Sequence, residues 1–564
     1  MLLVKLLLFP GALVAGAAQI SLADAAISSA PPVIDLGYSR IQGYYDQKHS
    51  QYGWKGIRYA SADRFQAPRI PAKHTAVVQN ATDFGPICWQ ATEGATPLTS
   101  WGEPVGPQSE DCLFLNINAP AGAGEGSNFP VVIFIHGGGY AFGEAVTNSS
   151  FADFITNAGS DVVAVALQYR LGAFGFLAGT ETSQLGVLNA GLLDQQFALL
   201  WVQDHIHKFG GDQSHVTIWG ESAGAASVLN HIYAHGGETE KVLGLERPLF
   251  QAGIGSSVWI PPLYKYDEPL VEQVYQDLAD AVGCANSSRG SFACLQAMDA
   301  GVLAGAALNI SESAPKAYWT YVPVIEGEGG LITDRASVLL QQGKKTAGVE
   351  KVVGINQADE GFIFVDPALL DESTTDEDEL SRQFDSLLAS LFPLLTASER
   401  ESVAEQYPIT EGSATGNTFD RIKNVIADAT LICPTYWFTE AFGSDGWKGI
   451  FAYGNAYHHE DVGYYQGPIW DGERSVSSVV SFTGALEGFV RTWDPNQNPA
   501  APDLNPHWPT FDARKELLFN TTTGDSAAEA DPKVIEASSI KVYGTSQTEK
   551  CDFWRGSISV NAGL

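Results

Sequence analysis

The chain has 564 residues, of which 45% are hydrophobic, 11% aromatic and 17% charged. That is enough apolar material for a large core and excludes a disordered chain. Lys and Arg number 32 against 65 Asp and Glu, a net charge of −33, so phosphate backbones and anionic lipid surfaces repel the molecule and nucleic acid is excluded as a partner.

Residues 2–18 (LLVKLLLFPGALVAGAA) combine one Lys, an apolar stretch and a run of small residues, the pattern of a secretory signal peptide. Ala15-Gly16-Ala17 and Ala23-Asp24-Ala25 both offer a small-x-small cleavage site, so the leader is read as 1–18, extending at most to residue 25, with 19–564 as the mature chain. No later run reaches about 18 apolar residues, so a soluble mature chain without stable membrane insertion is expected. Up to about residue 125 the chain is rich in Gly, Pro and short strand-like runs. Val131–Ile135 (VVIFI) and Val162–Leu167 (VVAVAL) are then continuous β-branched runs, the signature of parallel strands buried on both faces. Leu192–His207 has apolar residues at helical spacing before Gly210-Gly211, Val216–Trp219 (VTIW) is a short strand, and Ala223–Tyr233 a helix. Lys351–Ile355 and Ile450–Tyr453 read as further strands. The acidic, helical stretch at about 365–445 between them reads as an insertion over the sheet edge. At about 150 residues per domain the length suggests three to four domains. No hinge-like linker divides the chain, however, and the alternation of strand and helix predicts one large α/β domain with insertions.

Six cysteines follow the leader: Cys88, Cys112, Cys284, Cys294, Cys433 and Cys551. An even number in an exported chain predicts disulfides, with 15 connectivities open for six Cys. The spacing suggests Cys88–Cys112 and Cys284–Cys294 as local loops, leaving Cys433–Cys551 to tie the C-terminal region. No zinc-like Cys or His spacing is present. Asn80, Asn148, Asn286, Asn309 and Asn520 each begin an Asn-x-Ser/Thr sequon, the acceptor pattern for N-glycosylation.

The chemistry centres on Gly220-Glu221-Ser222-Ala223-Gly224, a G-x-S-x-G between the strand at 216–219 and a helix. A tight strand-to-helix turn lifts the hydroxyl above a sheet, and flanking glycines remove the Cβ atoms that would clash. The motif is weak alone; its context strengthens it. His136-Gly137-Gly138-Gly139 directly follows VVIFI, and such glycines let backbone N–H groups reach a developing oxyanion. A serine nucleophile needs a His base held by a carboxylate, in the chain order Ser, acid, His. His231 and His235 lie on the helix after Ser222 and face away. His507 is in a Pro-rich surface stretch, and His458 and His459 lie just past a strand. Asp359 and Glu360 follow the strand KVVGI, where composition alone does not separate them.

With these motifs the sequence resembles the type-B carboxylesterase and lipase family, which includes cholinesterases and fungal lipases. Phe84-Gly85-Pro86-Ile87-Cys88, Ser109-Glu110-Asp111-Cys112-Leu113, Tyr169-Arg170-Leu171-Gly172, Phe209-Gly210-Gly211-Asp212 and Asp359-Glu360-Gly361 carry the resemblance together with the motifs above. It implies an α/β-hydrolase fold, a large mostly parallel sheet flanked by helices. It also implies a serine carboxylic ester hydrolase needing no metal or cofactor, with Ser222 as nucleophile, Glu360 as triad acid and His458 as base. The backbone N–H groups of Gly138, Gly139 and Ala223 would be the oxyanion donors. His459 would be one residue out of register. The family's three-disulfide pattern implies the same Cys pairs. The 23 residues between Cys88 and Cys112 include three Pro and several Gly, a poor helix for a lipase lid. Soluble or medium-chain esters are therefore expected, with a true lipase on acylglycerols or sterol esters as the alternative. Trp101 lies one position from an aromatic that cholinesterases use for a cationic substrate and is read as packing. A non-catalytic binding protein is the alternative from another class; it would have lost a triad residue, and here all three positions are filled.

Overall fold

The computed structural model describes residues 31–96, 104–146, 151–159, 161–371, 374–410, 417–467, 474–523, 525, 527–556 and 558–564. The predicted leader, Trp101 and Asn148 lie outside the described residues. One sheet organises the chain. Its strands are β1 (Tyr44–Asp46), β2 (Gln51–Arg58), β3 (Phe114–Pro120), β4 (Phe129–Ile135), β5 (Val163–Leu167), β6 (Gly211–Glu221), β7 (Ala252–Ser256), β8 (Lys351–Gln357), β9 (Gly446–Ala452), β10 (Lys515–Asn520) and β11 (Lys533–Glu536). They run in the order β11-β10-β9-β8-β7-β6-β4-β5-β3-β2-β1. From β5 through β4, β6, β7, β8 and β9 to β10 every neighbouring pair is parallel; the flanking strands are antiparallel. This is the α/β-hydrolase architecture.

The continuous apolar runs have a physical reason. Val131, Ile133 and Ile135 of β4 point into one hydrophobic layer, and Val132 and Phe134 into the other. Strand side chains alternate between faces, so a strand covered on both needs apolar residues at every position. On the first face lie α1 (Ala190–His205) and α2 (Ala223–Gly237), which buries Val228, Leu229 and Ile232. The second face is covered by α5 (Val476–Thr492) through Val479, Phe482, Ala485, Leu486 and Phe489. Thr180–Phe209, which contains α1, has the length and mean hydropathy (1.2) of a membrane span, and 67% of that window is buried inside the fold. Polar residues such as Asp194 and Gln195 interrupt it, so it escapes a search for unbroken apolar runs.

The acidic stretch at 365–445 is not an insertion over a sheet edge. It connects β8 to β9, which are adjacent interior strands, and is their crossover. Its helices α3 (Asn417–Ala427) and α4 (Cys433–Glu440) flank a π-helical turn at Asp428–Ile432. α4 buries its residues from Cys433 to Thr439. A Cβ on Gly354 of β8 would lie 2.3 Å from Thr439 Oγ1, so the helix presses directly on the sheet. The acidic outer helix at Glu377–Leu391 made the segment look peripheral.

The three disulfides are Cys88–Cys112, Cys284–Cys294 and Cys433–Cys551, the pairs expected. Asn80, Asn286 and Asn309 are exposed, whereas Asn520 is half-buried at the end of β10 with its Oδ1 buried and unpartnered among the described residues.

Candidate active site

The C-terminal ends of the parallel strands converge on one cavity of about 520 Å3, lined among others by Gly137–Gly139, Glu221, Ser222, Trp319, His458 and His459. That volume suits a small organic ligand. Open parallel sheets place their ligand sites at this end.

Ser222 follows β6 with φ 56° and ψ −124°, a left-handed backbone that a non-glycine residue adopts only when its surroundings enforce it. The enforcement is visible. A Cβ on Gly220 would lie 2.1 Å from the Gly224 carbonyl carbon, and one on Gly224 2.0 Å from the Ile135 carbonyl oxygen. Ser222 N–H donates to the Ser256 carbonyl at 2.9 Å, pinning the turn to the end of β7. The glycines of the motif are thus steric requirements of a turn wedged between β4 and α2.

After β4, Gly138 and Gly139 have φ 94° and 61°. A Cβ on Gly139 would lie 1.9 Å from the Trp319 indole, so the bare backbone lets that ring close over the loop. Among the described residues, the N–H groups of Gly138, Gly139 and Ala223 donate to no protein acceptor. They line the cavity or sit beside the Ser222 that lines it.

Glu360 and His458 come from the loops after β8 and β9. Asp359 N–H donates to the Ala456 carbonyl at 2.9 Å, stitching the two loops together. The buried Glu360 carboxylate receives Gln357 N–H at 2.9 Å, Asn356 Nδ2 at 2.9 Å and Ser257 Oγ at 2.7 Å on Oε1. Its Oε2 lies 2.7 Å from His458 Nδ1. Asp359, the neighbouring acid, instead pairs with Lys423 Nζ at 3.4 Å. The structure therefore separates the two acids that composition left open.

His458 Nε2 lies 3.2 Å from Glu221 Oε1, and among the described residues no hydrogen bond joins the imidazole to Ser222. Burial pulls the His458 ring towards neutrality, but Glu221 and Glu360 outweigh it and raise its pKa above the ordinary histidine value. Glu221 also holds His459, with Nδ1 at 2.9 Å from Oε2. Desolvation opposes the His459 cation, yet Glu221 pushes that ring up to about 9. Asp461, hydrogen-bonded to Ser256 Oγ, is raised to about 7 by burial and by Glu221.

His231, His235 and His507 do not line this cavity. His231 is buried with Nε2 3.0 Å from Gln195 Oε1, and His235 Nδ1 is 3.1 Å from the Gly330 carbonyl. His507 is exposed. His136 stacks on Tyr169 with ring centroids 4.4 Å apart, and burial lowers it to about 4, leaving it neutral. Glu221 and Ser257 carry no predicted role, and His459 was expected to lie one residue out of register. Glu221 had one available signal, an acid inside the nucleophile motif, whereas Ser257 had none.

The arrangement presents a strained serine, an imidazole braced by a saturated carboxylate, and unspent backbone donors around one cavity, a combination suited to acyl transfer. The family model for carboxylesterases matches residues 30–554, and the chain belongs to that family; it is a carboxylic ester hydrolase. Among curated relatives, Lipase 5 of Diutina rugosa is 31% identical over 515 residues, covering 85% of this chain and 86% of that protein. Carboxylesterase patB of Aspergillus clavatus is 28% identical, covering 94% of this chain and 97% of its own. Among solved structures, EstA of Aspergillus niger superposes with a TM-score of 0.79 at 26% identity, covering 95% of this chain and 99% of that one.

Proposed function

We propose that this is an exported serine esterase working through an acyl-enzyme, with Ser222 as nucleophile, His458 as base and acid, and Glu360 as the carboxylate that orients it. The observation that carries this is the Glu360–His458 pair opening on the same cavity as the Ser222 turn. His458 Nε2 takes the hydroxyl proton as Ser222 Oγ bonds to the ester carbonyl carbon. The resulting oxyanion is met by the N–H groups of Gly138, Gly139 and Ala223, each worth about 3–4 kcal/mol to the transition state. The intermediate then collapses, the C–O bond to the alcohol breaks, and His458 returns its proton to the departing oxygen. Water attacks the acyl-enzyme by the same route and frees the acid and Ser222.

Soluble and medium-chain esters fit best. Trp319 stands against Gly139, backed by Trp259 with centroids 5.2 Å away and Phe142 at 5.9 Å, an aromatic wall that limits the space beside the oxyanion donors. None of the described residues between Cys88 and Cys112 is helical, in keeping with a small lid and weak interfacial activation. The three disulfides support an oxidising, extracellular destination.

A p-nitrophenyl ester series from acetate to palmitate tests the reading. Ser222→Ala and His458→Ala should each lower kcat by about ten-thousand-fold or more, because the groups act as a unit. Wild-type turnover in Ser222→Ala removes the proposed nucleophile. Activity that jumps when a long-chain triglyceride passes its solubility limit would make the protein a lipase instead.

A further inference from the structure

Two imidazoles share one carboxylate beside the nucleophile, and only one belongs to the mechanism above. His459 has φ 77°, a conformation that costs a non-glycine residue energy and is worth tracing to a function when observed near a reactive centre. Its side chain is 58% exposed and lines the same cavity as Ser222. Strain without burial means that packing alone does not hold it there. Its backbone carbonyl accepts Val462 N–H at 3.2 Å, and its imidazole is tied in by Nδ1, 2.9 Å from Glu221 Oε2.

Glu221 is 2% exposed, and its other oxygen lies 3.2 Å from His458 Nε2. That approach lacks hydrogen-bond alignment: Oε1 has no hydrogen-bond partner among the described residues. The nitrogen that must receive the Ser222 proton therefore has an anion beside it that does not yet grip it. A carboxylate that did grip Nε2 would compete with the serine hydroxyl and stabilise the imidazolium before the reaction had begun.

We propose that His459 is a positioning residue for the esterase reaction: it holds the Glu221 carboxylate by Oε2, off the His458 Nε2, and so keeps that nitrogen open to Ser222. The proposal rests on His458 being the base. Electrostatics agree with the geometry. The positive charge of His459 acts to lower the His458 pKa, opposing Glu221 and Glu360. Glu360, Glu93 and Asp461 are the other acids acting on the three-residue cluster, Lys448 is the buried cation acting on Glu360, and Tyr169 and Tyr465 are the phenols acted on by Glu221.

The test is the pH profile of kcat/KM on a soluble p-nitrophenyl ester. His459→Gly suits the positive φ and should fold. It should move the acid limb upward by roughly one pH unit and lower kcat at pH 7, since an unrestrained Glu221 can turn onto Nε2 and raise the base. His459→Asn tolerates the same backbone and keeps an N–H for Glu221, so it should recover most of the kcat lost at pH 7. In a Glu221→Gln background, His459→Gly should leave the limb where it is. An unmoved limb in His459→Gly, no recovery in His459→Asn, or an equal shift in the Glu221→Gln background would each overturn the proposal. A fully active His458→Ala would overturn the esterase mechanism itself, which is a separate outcome.

Discussion

Ser257 belongs to no motif, yet its hydroxyl is one of three groups saturating Glu360 Oε1. A hydrogen bond to a buried carboxylate is worth about 1.5–3 kcal/mol. Ser257→Ala should lower unfolding free energy by that order in a denaturant titration. It should also lower kcat more than it changes KM, because the loosened carboxylate orients His458 less well. The base sets a second prediction at this scale. As the proposed base His458 would act only when neutral, and its pKa is raised despite burial because Glu221 and Glu360 favour the cation. The acid limb of kcat/KM should therefore fall above about 6.5, the ordinary histidine value, and an inflection below it would contradict the charge balance described. Ser222, Gly138 and Gly139 were legible in the sequence because their requirements are steric and local. The contacts of Glu221, Ser257 and His459 were not, since each is made with partners that only the folded chain brings near: Ser257 meets Glu360 across 103 positions, and His459 meets Glu221 across 238.

At the scale of elements, what was readable depended on how evenly an element is buried. β4 and β5 announce themselves through unbroken apolar runs. β6 shows only its second half, because residues 212–215 are polar and partly exposed. β9 hides its start for the opposite reason: the Lys448 side chain is fully buried there, its Nζ 3.5 Å from Glu516 Oε2. The π-helical turn ahead of α4 also has a local cause. Pro434 has no N–H to give the Thr430 carbonyl, and Ile260 N–H takes that oxygen at 2.8 Å instead. The neighbouring Leu431 carbonyl accepts from Asn356 Nδ2 at 3.3 Å, the same amide that reaches Glu360. Helix α5 carries a testable anomaly. Glu487 is 1% exposed with Oε1 unpartnered among the described residues, and burial, aided by Asp161 and opposed by Arg491, pushes it up to about 8. A carboxyl that binds its proton more tightly folded than unfolded contributes its full stability below its unfolded value of about 4.5 and loses it as pH climbs through about 8. Glu487→Gln should therefore raise the Tm at pH 9 relative to wild type and flatten the alkaline decline. Equal slopes of Tm against pH in the two proteins would show that this carboxyl is not responsible.

For the molecule as a whole, the parallel sheet was readable because strand and helix alternate along the chain, and the strand-end motifs that meet at its cavity occur in a fixed chain order. The connection from β8 to β9 was misread because outer acidic helices mask an inner one packed on the sheet. Among the described residues, one eleven-stranded sheet takes its strands from Tyr44 to Glu536. Its parallel strands are joined only by long connections, and contacts of this kind form late and slowly.

The stitching of the loops after β8 and β9 carries that slowness into function. The proposed nucleophile, acid and base follow separate strands, β6, β8 and β9, and β9 comes late in the chain. Helical content and a collapsed interior can come back while the imidazole still has no carboxylate at its back. On dilution from denaturant with disulfides intact, recovery of ester turnover should trail the far-ultraviolet circular dichroism signal, and coincident time courses would argue against this order of events. Hydrolysis would then serve as a clock for the final docking of the chain, silent until the last seam has closed.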